Sequence, residues 1–199
     1  MHMARQLTDQ GRERKQQLLD AAERLFTERG YANTRIADIC EAAGVAKGLF
    51  YWYFDTKAEL FADLVRSVRQ QLRRAQAAAM DDGADPVTRI RQGAEASVRF
   101  MSEHMAFFAV VRDVGKEGVI APVLSESADV YTGDIERLVE KAKADGQIAE
   151  DLDTHLLAVG VLSLVSTFAN QRRMRQLDLD VDGLAGFVGA FVVRALTGT

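Results

Sequence analysis

The chain is poor in residues that staple, kink or coordinate. Its single cysteine, Cys40, among 199 residues cannot close an intrachain disulfide, and no second thiol or histidine pair stands at metal-ligand spacing. A disulfide scaffold and a structural zinc site are excluded, and neither a metal nor a cofactor is expected. Only two prolines, Pro86 and Pro122, occur, which argues against a turn-rich β-sandwich and for long helices. Long apolar runs are missing too. The longest, Leu156 to Ala169, is interrupted by Gly160, Ser163, Ser166 and Thr167 and falls short of the roughly 20 residues that cross a bilayer, so no membrane partner is expected. The first six residues are polar, with no apolar core of an export signal, and His2-Met3 resembles a cloning remnant. A cytoplasmic protein is expected. Positive charge is not in excess either. Lys and Arg number 25 against 29 Asp and Glu, a net charge of −4, which over the whole chain argues against a polyanionic partner. What remains, 48% hydrophobic and 27% charged, is the composition of a folded globular chain.

Helical periodicity dominates. Leu18, Leu19, Ala22, Leu25 and Phe26 predict a first helix from about Thr8 or Asp9 to the stop at Gly30. Thr34 is expected to cap a second, with Ile36, Ile39, Cys40 and Ala43 inward and Gly44 at its end. Cys40 then reads as a small core residue. A third short helix covers about 46–53, and Thr56-Lys57-Ala58-Glu59 fits the capping box of a fourth. Leu60, Phe61, Leu64, Val65, Val68 and Leu72 hold that helix to one stripe up to about Met80. The segment Asp81 to Pro86 is the clearest break. Further helices are predicted at about 86–105, 106–116, 122–145, 153–174 and 181–197, with connectors at Gly118, Gly146 and Leu177–Asp182. No strand-like alternation appears. The expectation is an all-α fold of about nine helices: a head of three short helices over residues 1–56 and a larger helical body over 57–199.

The second helix, its glycine turn and the third helix have helix-turn-helix spacing, in which the second member of the pair enters the DNA major groove. Short helix pairs with a glycine turn also occur as plain packing units. Three details favour the groove. Tyr51, Trp52, Tyr53 and Phe54 follow directly on Phe50, more aromatics than one short helix can bury on a single face. With Val45, Phe50 and Phe54 inward, Lys47, Leu49, Tyr51 and Trp52 are left at the surface, where they suit base edges and phosphate oxygens, and Gly48 allows close backbone approach. Lys57 stands at the positive end of a helix dipole, a disfavoured place unless compensated, and an anion would compensate it; a solvated lysine is the alternative. Arg35, beside Thr34, can reach a phosphate on the other flank or simply be solvated.

These residues carry a resemblance. Gly30-Tyr31-x-x-Thr34, Asp38-Ile39-x-x-x-Ala43-Gly44-Val45-x-Lys47-Gly48 and Phe50-Tyr51-x-Tyr53-Phe54-x-x-Lys57-x-x-Leu60 resemble the N-terminal signature of the TetR family of bacterial transcriptional regulators, over residues 9–60. Ala46 stands where that family usually has serine, Leu49 where threonine is frequent and Arg35 where a second threonine is common. The resemblance implies a homodimer on a palindromic double-stranded DNA operator in the bacterial nucleoid. It usually implies repression relieved by a small-molecule effector in the helical body. It further implies that Lys47, Gly48, Leu49 and Tyr51 face bases, and that Thr34, Arg35, Trp52, Tyr53 and Lys57 hold the DNA backbone. Two-fold symmetry would set the recognition helices about 34–36 Å apart.

In the body, helix 153–174 is apolar nearly all round, and the last helix pairs an apolar stripe with the small residues Gly186, Gly189 and Ala190. Two such helices per subunit can form a four-helix dimer interface; Leu157, Val161, Leu164, Phe168, Phe187 and Phe191 are the residues expected there. Completing a monomeric core is the alternative. Arg99, Phe100, His104, Phe107, Phe108, Arg112, Tyr131 and Phe168 are candidates for an effector pocket, although each aromatic can equally be core filler. Asp151, Asp153 and His155 could suggest a metal, yet capping by Asp153 or Thr154 explains them more cheaply. No paired nucleophile and base and no phosphate-cradling glycine loop occur, so an enzyme is not expected. The charge divides as well. Residues 1–75 carry 13 basic and 10 acidic side chains, net +3, and residues 76–199 carry 12 and 19, net −7, so the acidity belongs to the body.

Overall fold

The computed structural model describes residues 8–115, 120–173 and 179–198. Among these there are no strands, and the helices are α1 (Asp9–Arg29), α2 (Ile36–Ala42), α3 (Lys47–Tyr53), α4 (Lys57–Ala79), α5 (Pro86–Glu103), α6 (Met105–Val114), α7 (Ile120–Ala144), α8 (Thr154–Arg173) and α9 (Val181–Thr197). The all-helical architecture expected from periodicity is what forms. The connector expected at Gly118, and Leu177 and Asp178 of the later one, lie outside the described residues. No described helix is long and apolar enough to cross a membrane. Contacts divide the chain into two units: one holds the described residues up to Ser67 with those of Ala106–Leu124, the other Val68–Met105 with those of Ser125–Thr199.

In the first unit, Thr8 caps α1 by accepting from the Gly11 amide at 3.2 Å, and Gly30 stops it at φ +82°, a conformation that costs a side-chain-bearing residue. Leu18, Leu19, Ala22, Leu25 and Phe26 are buried. Phe26 meets the edge of Phe61 with ring centroids 5.4 Å apart, and Phe107 of α6 lies 6.2 Å from Phe61. Burial of Cys40 pushes its thiol pKa up. One local expectation is corrected. Thr34 does not cap α2; it is 1% exposed, and its hydroxyl turns back to donate to the Gly30 carbonyl at 2.9 Å. Arg35 takes the cap position, its amide held by Asp38 Oδ2 at 2.9 Å. A buried hydroxyl needs an acceptor, and the end of α1 supplies it. At α4 the Glu59 amide donates to Thr56 Oγ1 at 3.1 Å, while the Glu59 carboxylate accepts from Asp55 rather than Thr56, so the reciprocal arm of the box lands one residue upstream.

In the second unit, Asp85 caps α5 by accepting from the Thr88 amide at 3.0 Å, with Pro86 in the first turn. Ile90, Ala94 and Val98 of α5, Val139 of α7, Val161 and Val165 of α8, and Leu184, Val188 and Val192 of α9 are buried in one core. Gly189 is what lets α9 close on α5: a Cβ there would stand 2.5 Å from the Glu95 carboxylate. Asp153 caps α8 through the Leu156 amide at 2.8 Å, and His155 meets Glu136 at 2.7 Å.

Candidate functional site

Seven residues of α3 divide by the 100° helical step. Phe50 is fully buried, and Phe54, one turn on, is buried beside it with ring centroids 5.7 Å apart. Rotation then carries Gly48 and Trp52 onto the opposite side together, and Lys47 and Tyr51 onto the flank next to them. All four are exposed, Tyr51 at 47% and Trp52 at 49%. Two large aromatics half in solvent on a seven-residue helix need a partner to justify them. Lys47 Nζ stands 6.0 Å from the Tyr51 ring centre, which holds a cation over the same face. Leu49 is half-buried, and Arg35 is exposed at the start of α2.

The remaining expected DNA contacts are bonded inside the head. Tyr53 donates its phenol proton to the Gly11 carbonyl at 2.7 Å, tying α3 to α1. Its ring meets Trp52 edge-on at 4.6 Å. Lys57 Nζ donates to the carbonyls of Tyr31 at 2.7 Å and Thr34 at 2.9 Å. The negative partner that a cation needs at a helix N-terminus is thus present within the chain, in two carbonyl dipoles. Thr34 is buried, as described above. The head therefore separates an outward set, Lys47, Gly48, Tyr51, Trp52 and Arg35, from a set that fixes the geometry, Thr34, Tyr53 and Lys57.

The second unit contains a cleft of about 330 Å³ between α4, α5, α7 and α8. Ile90, Ala94, Leu138, Val161 and Val165 line its apolar part. Gln76 donates to Ser97 Oγ at 2.8 Å, and Asp134 pairs at once with Arg73, at 2.9 Å, and Arg137. Tyr131 also lines the cleft; its phenol donates to the Arg69 carbonyl at 2.7 Å, and burial pushes its pKa up to about 12. Of the residues expected in an effector pocket, Tyr131 lies here and the others lie elsewhere. Arg99 is engaged by Asp182 at 2.8 Å and Glu95 at 3.7 Å. Phe100 is buried and stacked on His104 with centroids 4.1 Å apart. Phe107 is core of the first unit, Phe108 is half-buried 5.8 Å from it, and Arg112 is exposed on α6. The cleft residues Arg73, Gln76, Arg89, Arg137 and Lys141 escaped the sequence reading. The signal that could have found them is polar spacing on otherwise apolar faces: Asp134, Arg137 and Lys141 recur at i, i+3 and i+7 beside Ile135 and Leu138.

The outer faces of α8 and α9 expose Leu156, Val159, Phe187 and Phe191. Phe187 stacks with Phe191 at 6.1 Å, and Phe168 meets Phe187 edge-on at 5.5 Å. Leu157 and Leu164 are half-buried, while Val161 is 5% exposed and packs into the unit's own core. Gly186 and Ala190, beside the phenylalanines, are exposed and small.

The family model described as bacterial regulatory proteins, tetR family, matches residues 18–64, the stretch that contains the α2–α3 pair. The HTH-type transcriptional regulator TtgR of Pseudomonas putida is 40% identical over 91 residues, covering 45% of this chain and 43% of TtgR. The chain thus spans less than half the length of that relative. A TetR-like transcriptional regulator from Rhodococcus sp. RHA1 superposes with a TM-score of 0.72 at 25% identity over 98% of this chain and 100% of its own. PfmR of Thermus thermophilus, a TetR family transcriptional regulator, is similar in fold at a TM-score of 0.72 and 23% identity, over 89% of this chain and 97% of its own.

Proposed function

Because residues 18–64 match the family model of tetR-family bacterial regulatory proteins and the fold is similar to that of TetR-like regulators, we propose that the chain is a ligand-responsive transcriptional regulator of the TetR family, a repressor that binds a palindromic DNA operator as a homodimer in the bacterial cytoplasm. The observation that carries this reading is the outward face of α3, where Lys47, Gly48, Tyr51 and Trp52 stand together. Lys47 suits guanine acceptors, Tyr51 and the half-buried Leu49 suit base edges and a thymine methyl, and Trp52 and Arg35 reach phosphates. Thr34, Tyr53 and Lys57 act in DNA binding by setting the angle of α3 and, at Lys57, by adding charge near the backbone. The exposed aromatic face of α8 and α9 pairs two copies, and a small molecule in the second unit releases the DNA.

A mobility-shift titration against the DNA flanking the coding region tests the reading. Binding should weaken steeply with salt, as phosphate contacts release counterions, and Lys47→Ala should lose both affinity and sequence preference, each base contact being worth about 1–3 kcal/mol of discrimination. Salt-independent binding, or unaltered operator preference in Lys47→Ala, overturns it.

A further inference from the structure

We propose that the cleft between α4, α5, α7 and α8 takes a small amphipathic anion, with its apolar body against Ile90, Ala94 and Val165 and its acid group among Arg73, Arg89, Arg137 and Lys141. This rests on the regulator reading above and names the chemical class of its effector. The charge of the cleft is opposite to its surroundings. Residues 76–199 are net −7, yet the described residues lining the cleft comprise four cations and one carboxylate, Asp134. That carboxylate is shared by two guanidiniums, Arg73 and Arg137, so it neutralises only one of them. Lys141 stands one helical turn beyond Arg137 on the same face of α7. Arg89 has a buried Nε–H with no partner, and the carboxylate its other nitrogen meets, Asp82, is 97% exposed, where an ion pair is weak.

A neutral guest would leave these donors unused, and a cationic one would meet net repulsion. A carboxylate or phosphate would gain charge-assisted hydrogen bonds. The volume, about 330 Å³, lies at the low end of small-molecule cavities, which limits the guest to a short chain or one or two rings. Met80 supplies an adaptable apolar wall: it lies so close on Gly93 that a Cβ there would stand 2.4 Å from its methyl group, and an unbranched thioether re-forms readily around an aliphatic body.

The test uses the full chain and three probes with one apolar tail: octanoate, 1-octanol and octylammonium, titrated calorimetrically. Octanoate should bind at least about ten-fold tighter than octanol, which corresponds to about 1.4 kcal/mol, with octylammonium weakest. Replacing two exposed cations together, Arg137→Gln with Lys141→Gln, should reduce that preference to within about three-fold while circular dichroism stays unchanged. Equal binding of octanol, a preference for octylammonium, no saturable binding of octanoate, or an unreduced preference in the double variant each overturns the proposal. Mobility shifts on the same samples keep the two readings apart. Operator binding without acid preference overturns only this inference, whereas acid preference without any DNA binding overturns the regulator reading.

Discussion

The Lys57 ammonium lies 4.1 Å from the centre of the Tyr31 ring and donates to the carbonyl of that same residue at 2.7 Å. With its second bond to the Thr34 carbonyl, it buckles the start of α4 to the loop that enters α2. Hydrogen bonds from charged groups contribute about 1.5–3 kcal/mol and a cation–π contact about 0.5–1 kcal/mol where partly exposed. Lys57→Met keeps the stem length and removes all three interactions. It should lower the stability of the protein by about 2 kcal/mol in denaturant titration and weaken binding to all DNA sequences alike. A variant as stable as the parent would show that the buckle contributes nothing.

Adjacent residues on α3 should separate stability from binding. Tyr53→Phe removes the bond to the Gly11 carbonyl and should cost about 1 kcal/mol, with operator preference unchanged. Trp52→Ala deletes a side chain that is 49% exposed, so unfolding should shift by less than about 0.5 kcal/mol while DNA affinity drops. The pair is read by thermal unfolding alongside mobility shifts, and an exchange of the two phenotypes would refute the assignment.

Phe187→Glu places a charge on the exposed aromatic face of α9. Since Phe187 is 48% exposed, the fold should survive. If this face joins two copies, sedimentation should show the dimer replaced by monomer at micromolar concentration, and operator binding should fall with it. A dimer that persists would locate the interface elsewhere.

Asp85 should contribute to the acid sensitivity of α5. Hydrogen bonds from the Thr88 side chain and amide and from Gln147 lower its pKa to about 2 from the usual 3.8. A depressed carboxylate pKa stabilises the fold above the unfolded-state value, and that contribution is lost as pH falls from about 4 towards 2. Because the group is exposed, the loss is small and salt-screened. Asp85→Ala should cost about 1 kcal/mol at neutral pH through the lost cap and should flatten the acid limb of a stability-against-pH curve. Asp85→Asn, which still caps, should recover the neutral-pH stability but not the acid dependence.

Much of the fold is legible because helix signals are local. The spacing of Leu18, Leu25 and Phe26, the stops at Gly30 and Gly146, the break ending in Asp85-Pro86 and the cap at Asp153 each act within one or two turns, and the helices start and stop close to where those residues stand. The outward residues of α3 are legible for a related reason: too many aromatics on a short helix leave some no inward direction. The cap at α2 is not, because Thr34, a good capping residue, is bound instead by the end of α1. Residue type alone suggests effector candidates such as Arg99 and Phe100, whereas cavity lining depends on which faces of four separate helices converge.

The sequence alone determined the helical order, the approximate extent of most helices and the face of α3 that must look outward, since these follow from a 3.6-residue period and from side chains interacting a turn apart. Tertiary structure decided that Thr34, Tyr53 and Lys57 turn inward, that the described residues of Ala106–Leu124 group with the head residues, and that Arg73, Arg89, Arg137 and Lys141 share a cleft. Those outcomes rest on pairings such as Gly11 with Tyr53, Tyr31 with Lys57 and Arg73 with Asp134. Each joins residues at least 26 positions apart, a distance along the chain at which no local period or cap carries information.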